Sequence, residues 1–201
     1  MKIFTSIGLI FLVSICLFYF VYLVFQKKIS QRKLLWFFIA TTAIFIGYLF
    51  VPFERIMLTY ILLILFSLSF GSFVGAGFKT SLPIIIFILI AGIVDYFSYS
   101  NGLTNMIINA YQEEKNDLLL KLTLRVYREN EMLFIMGVGD LIILTTLFKS
   151  FLNVTHKVLI SFFIPLSGII LAIIVGSFVG GIYAIPFVSL FTVLYLMIFE
   201  K

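Results

Sequence analysis

Apolar residues dominate the chain in long runs that short polar or charged stretches interrupt. The first run covers residues 3–25. It is too long for a signal-peptide core and lacks a small-residue cleavage site, so it reads as a retained signal-anchor helix. Lys27, Lys28, Arg32 and Lys33 follow it, a basic cluster expected on the cytoplasmic side. Further apolar runs occupy 34–51, 56–78, 82–99, 132–148 and, as two crossings broken near Gly176 to Gly181, 158–199. A helix needs about 20 apolar residues to cross a bilayer. The pattern therefore predicts an all-α polytopic membrane protein of about seven transmembrane helices, as one membrane domain over 1–201. Within it, 1–81 forms a three-helix part and 82–201 a four-helix part.

The one substantial polar connection, 101–130, has a pattern of its own. Leu103, Met106, Ile107, Ala110 and Tyr111 recur at helical spacing, with Asn105, Asn109 and Gln112 on the other side, which predicts a short interfacial helix. Beyond Glu113 and Glu114 the period becomes two. Leu120, Leu122, Leu124 and Val126 alternate with Lys121, Thr123, Arg125 and Tyr127, as in a half-buried β-strand whose charged side faces water or headgroups. An amphipathic loop that happens to alternate is the competing reading. A lone strand needs a pairing partner, because its backbone groups are otherwise unpaired.

Composition narrows the class. Of 201 residues, 63% are hydrophobic and 11% charged, against about 25% charged in a soluble domain. The net charge of +5 is spread through short loops, which suits a lipid bilayer and gives no support for a nucleic-acid partner. Counting basic residues over seven crossings puts six on one side and eight on the other, which favours an outside N-terminus and a cytoplasmic C-terminus. Cys16 is the single cysteine and His156 the single histidine. No disulfide and no thiolate or histidine metal set is available, and no cofactor is called for.

Two acids stand apart from all others. Asp95 lies late in the run 82–99 and Asp140 lies within the run 132–148, whereas the remaining carboxylates fall in loops or at ends. A carboxyl group within the membrane costs about 2.5–3.5 kcal/mol on insertion scales, so two in neighbouring helices call for a reason. Gly137 and Gly139 precede the second acid and leave room for a close backbone approach. Gly71 and Gly75 form a small-xxx-small pattern of ordinary helix packing.

These residues together resemble the presenilin and signal peptide peptidase family of intramembrane aspartyl proteases, as a reduced member. That family carries a Tyr-Asp motif, then Gly-x-Gly-Asp in the next helix, then Pro-Ala-Leu at the start of the last. Here Asp95 follows Val94 and precedes Tyr96, and Gly137-Val138-Gly139-Asp140 is complete. Ala184-Ile185-Pro186 resembles Ala-Leu-Pro, with Tyr183 in place of the first proline. The separation of 45 residues between Asp95 and Asp140 is similar to the short linker of signal peptide peptidases. The resemblance covers 82–199.

The resemblance implies an aspartic endopeptidase that cuts within transmembrane helices or signal-peptide remnants. Asp95 and Asp140 would be catalytic. Tyr96, Gly137, Val138, Gly139, Leu120, Leu122, Leu124, Ala184, Ile185 and Pro186 would support the site or bind substrate. Two carboxyl groups sharing one proton activate water and polarise the scissile carbonyl between them. A substrate helix has to unwind first, and the strand at 120–127 offers main-chain partners to its freed backbone. Three alternatives stay open. A prepilin-peptidase-like protease also has Gly-x-Gly-Asp, usually with a lysine two residues on, where this chain has Ile142. A proton- or ion-coupled transporter would use the two acids as a relay. A non-catalytic relative would bind helices without cutting them.

Overall fold

The computed structural model describes residues 30–51, 56–102, 106, 121–128, 131–179 and 184–199. Six helices and one β-hairpin occupy them. Helices α1 (Gln31–Leu49), α2 (Ile56–Gly77) and α3 (Ser81–Asn101) precede strands β1 (Thr123–Arg128) and β2 (Glu131–Gly137). Helices α4 (Val138–Thr155), α5 (Val158–Val179) and α6 (Ile185–Phe199) follow. Five segments are long and apolar enough to cross a membrane: Gln31–Leu49, Met57–Gly77, Ser81–Ser98, Val138–Thr155 and Val158–Val175. Ile185–Phe199 is apolar but shorter. Large apolar side chains such as Trp36, Phe50, Ile93, Phe97, Phe163 and Met197 lie on the outside, as lipid-facing residues of a multi-pass membrane protein do. The expected first crossing, 3–25, lies outside the described residues, as does nearly all of the expected interfacial helix.

Helix α4 is central. Leu144, Leu147, Phe148, Phe151 and Leu152 are all fully buried, and α2 and α5 pack against it. Its contact with α2 is a backbone contact. A Cβ on Gly71 would lie 2.8 Å from the Ile142 carbonyl oxygen and 2.7 Å from the Thr145 Cβ; one on Gly75 would lie 2.6 Å from the Thr146 oxygen. Only glycine allows this approach. Asn153 then donates from Nδ2 to the Gly75 and Phe78 carbonyls at 3.0 and 3.3 Å, capping the end of α2, where the Gly75 carbonyl also accepts the Phe78 amide. These contacts ascend both helices together, so α2 and α4 run parallel. Helix α1 runs antiparallel to α2. The Thr41 and Ser69 hydroxyls lie 2.5 Å apart, Tyr48 and Thr59 pair at 2.6 Å, and Phe45 stacks on Phe66 at 5.0 Å between centroids.

Three expectations need correction. Residues 132–148 are not one crossing: Met132 to Gly137 form β2, and the helix begins at Val138. An apolar run of six residues has no period that separates a strand from a helix. The expected strand at 120–127 is displaced, with β1 beginning at Thr123 and pairing antiparallel with β2, Leu124 opposite Met136. Lys121 and Thr123, expected on the watery side, are 2% and 1% exposed because the α1–α2 side of the bundle covers them. Helix α5 ends at Val179, within the break expected from Gly176 to Gly181, and it passes through Pro165 unbroken.

The α2–α4 contact gives a direct prediction. Gly75→Leu should cost about 1–3 kcal/mol, the usual penalty of forcing extra carbons into a packed interface. Gly47→Ala, where nothing lies within 4 Å of the added carbon, should cost nothing. Thermal unfolding of the two purified variants compares them.

Candidate functional site

The site forms where three helix ends meet, and each end is positioned by a local rule. Asp95 stands in the fourth turn of α3, on the face that meets α6. There the backbones approach closely: a Cβ on Gly92 would lie 2.8 Å from Ser189 Oγ. Ser189 donates to the Ile88 carbonyl at 2.8 Å, across the interface, and to the Ile185 carbonyl at 2.9 Å. The pairs Ile88–Ser189 and Asp95–Ile185 run in opposite directions, so α6 descends alongside α3 and its N-terminus reaches the acid. The backbone amide of Ile185 donates to Asp95 Oδ2 at 3.3 Å. An amide in the first turn of a helix has no partner within that helix, and a carboxylate is a fitting one.

Asp140 is placed by the strand-to-helix junction. Gly137 ends β2 in an extended conformation and serves as the N-cap of α4 (φ −73°, ψ 158°). Its amide donates to Asp140 Oδ2 at 3.0 Å, with Asp140 at the third helical position. The carboxyl group reaches back to the cap as acids at that position do. The amide of Val138 donates to the Leu122 carbonyl at 2.9 Å, so the residue before β1 is tied to the first residue of α4. Asp140 therefore sits at a helix start and not in the middle of a continuous apolar helix, as the sequence pattern had implied.

The two aspartates line one cavity of about 170 Å³. Leu122, Gly137, Val138 and Gly139 line it with them. Four further residues also do: Ala91, Val94, Ser98 and Ile143. Sequence reasoning did not select these four, although helical spacing carried the signal for three. Ala91 and Ser98 stand one turn before and after Asp95, and Ile143 one turn after Asp140. A Cβ on Gly139 would meet nothing within 4 Å, so the space beside Asp140 is open there.

The other expected site residues divide. Ile185 touches Asp95 through its amide, and Pro186 lies in the first turn of α6 with its Cα facing Gly92. The Ala184 carbonyl accepts from the Phe187 and Val188 amides and starts that helix. Tyr96 is 49% exposed, packs edge-on against Phe97 and does not line the cavity. Leu124 is buried in the core and does not line it either. Leu120 lies outside the described residues. Among the described residues no group of three or more His, Cys, Asp or Glu side chains is placed to hold a metal ion.

Comparisons of the chain with protein-family models, with curated proteins and with solved structures return no match.

The contact that brings Asp95 to the Ile185 amide can be tested by size exchange. Gly92→Ala alone should cost about 1–3 kcal/mol, because its new methyl meets Ser189 Oγ. Ser189→Ala should cost about 1 kcal/mol for the lost interhelical bond. The double variant should be no less stable than Ser189→Ala, since removing Oγ leaves the methyl an ordinary contact. Additive losses in thermal unfolding would contradict this packing.

Proposed function

We propose that the protein is an intramembrane aspartic endopeptidase, with Asp95 and Asp140 as its catalytic pair. One observation carries the reading: two acids from separate helices line the same small, largely aliphatic cavity. Each also has one carboxyl oxygen held by a backbone amide. The resemblance of Gly137-Val138-Gly139-Asp140 and of Ala184-Ile185-Pro186 to the presenilin and signal peptide peptidase family supports it. Both motifs belong to the elements that hold the two carboxyl groups.

The chemistry follows from the arrangement. The amides of Gly137 and Ile185 fix the orientation of the carboxyl groups and leave the second oxygen of each for reaction. One carboxylate takes a proton from water as it attacks the scissile carbonyl. The other, protonated, donates a hydrogen bond to the carbonyl oxygen and then a proton toward the leaving amine. The aliphatic walls formed by Ala91, Val94, Leu122 and Ile143 lower the polarity around the carboxyl groups, which strengthens the electrostatic interactions between them.

The substrate is a transmembrane helix or a signal-peptide remnant that unwinds next to the cavity. Freed amides and carbonyls in an apolar medium need partners, each costing several kcal/mol if left unpaired. Among the described residues the sheet has only two strands. The edge of β1 away from β2 is the place where an extended substrate segment adds by main-chain pairing. Leu122, the residue before β1, lines the same cavity as the two aspartates.

The test is cleavage by purified protein in lipid nanodiscs, against a panel of single-pass helices and signal-peptide-like segments. Wild-type protein should cut within the apolar segment. Asp95→Asn and Asp140→Asn should each lower turnover by about 10²–10⁴-fold, the scale of acid–base contributions, with thermal unfolding unchanged. Tight binding of the helices without cleavage would instead identify a helix-binding protein. Full turnover in either single variant would remove the pair from the mechanism.

A further inference from the structure

Lys121 is a charged side chain in an unexpected place. It is 2% exposed, and it stands immediately before Leu122, which lines the cavity. Its Nζ donates to the Val51 carbonyl, just past the end of α1, and lies 5.3 Å from the centre of the Tyr48 ring. Tyr48 is itself buried and fixed from behind, its hydroxyl paired with that of the fully buried Thr59 on α2 at 2.6 Å. The end of α1 carries partial negative charge and the aromatic face attracts cations, so both partners suit an ammonium group. A buried lysine nevertheless gives up its hydration, and an apolar residue of similar length would satisfy packing alone.

The consequence lies one residue further on. The Leu122 carbonyl accepts the Val138 amide at the first residue of α4, and the Gly137 amide beside it holds Asp140. An unbroken set of contacts therefore leads from the α1–α2 pair through Lys121 and the Leu122 carbonyl to the strand–helix junction that carries the carboxyl group.

We propose that Lys121 is a positioning residue that latches the β-hairpin to the end of α1 and thereby sets the place of Asp140 and of the β1 edge. This rests on the protease reading for its catalytic consequence, but the latch itself is a statement about the hairpin. It assigns a role in the reaction to α1 and α2, which contribute no residue to the cavity lining.

Lys121→Met separates this role from simple packing. Because methionine fills similar space without a buried charge, the melting temperature should stay within about 2 °C of wild type or rise, a shift corresponding to 1 kcal/mol or less. Hydrogen exchange of the amides in Thr123–Arg128 and Glu131–Gly137 should accelerate at least tenfold, while that of α4 beyond its first turn stays unchanged. Cleavage in nanodiscs should show kcat lowered about tenfold or more with KM nearly unchanged, since small misplacements of reacting groups cost up to about a hundredfold. Tyr48→Leu should reproduce the exchange and kcat effects, and adding it to Lys121→Met should deepen neither. Unchanged hairpin exchange in Lys121→Met overturns the latch whatever the wild type cuts. A fall in activity matched by a fall in melting temperature, or faster exchange with unaltered kcat, overturns the positioning role. A wild-type protein that cuts none of the helices overturns the protease reading, and the exchange arm still decides the latch.

Discussion

The backbone contact between α2 and α4 is the constraint on which the arrangement depends. In a lipid environment no hydrophobic effect drives helices together, so close packing and polar contacts between them have to do it. Gly71 and Gly75 let the backbone of α2 rest against Ile142, Thr145 and Thr146 of α4, and Asn153 closes the end of the contact. This makes α4 the central helix and fixes its N-terminus, with Asp140, at the end of the bundle where α2 begins. The same principle recurs at Gly92 against Ser189 and at Gly168, where a Cβ would lie 2.5 Å from the Val188 Cα. Helix α6 is thereby held between α3 and α5, and its first amide reaches Asp95.

These contacts gather one set of non-helical segments at the end of the bundle that carries the two acids, opposite the turns at 78–80 and 156–157. The hairpin, the strand–helix junction at Gly137 and the start of α6 all lie there, and each supplies an amide whose partner is a side-chain or main-chain oxygen. Non-helical backbone at membrane depth is tolerated where protein or a polar cavity satisfies it. Here protein satisfies it: the amides of Gly137, Val138 and Ile185 are paired with oxygens of Asp140, Leu122 and Asp95. A carboxyl group held by a main-chain amide loses rotational freedom before any substrate arrives, which is the preorganisation that acid–base chemistry at a fixed distance requires.

What the sequence made legible were charges in apolar surroundings. Asp95 and Asp140 stood out because nothing else in the long runs is acidic, and the glycine pattern at Gly71 and Gly75 marked a close helix contact. Most helix bounds also followed from run lengths. Met132 to Gly137 did not, since a six-residue apolar run reads equally well as strand or helix. The alternation around Lys121 was visible, but the pattern names two faces without naming what covers each. Lys121 and Thr123 are buried because the hairpin leans on the α1–α2 side, a tertiary fact that no local period contains. Tyr96 drew notice through its neighbour in sequence, yet consecutive helix positions point about 100° apart, and it faces outward. Gly92 and Ser189 carried no motif at all; their meaning appears only once α3 and α6 lie side by side.

The central claim is that the carboxyl groups of α3 and α4 share one water-accessible cavity, and thiol cross-linking in native membranes tests it most directly. Cys16 is the single cysteine of the chain, so Cys16→Ser gives a clean background for Asp95→Cys with Asp140→Cys. A protease site inserted within 107–116 lets a cut chain report on the bond between its halves. A short bifunctional thiol reagent should join the two halves in the double variant and in neither single variant, and a small water-soluble maleimide should label both positions. Efficient labelling of both thiols without any cross-link, or no labelling of either, would contradict the shared cavity.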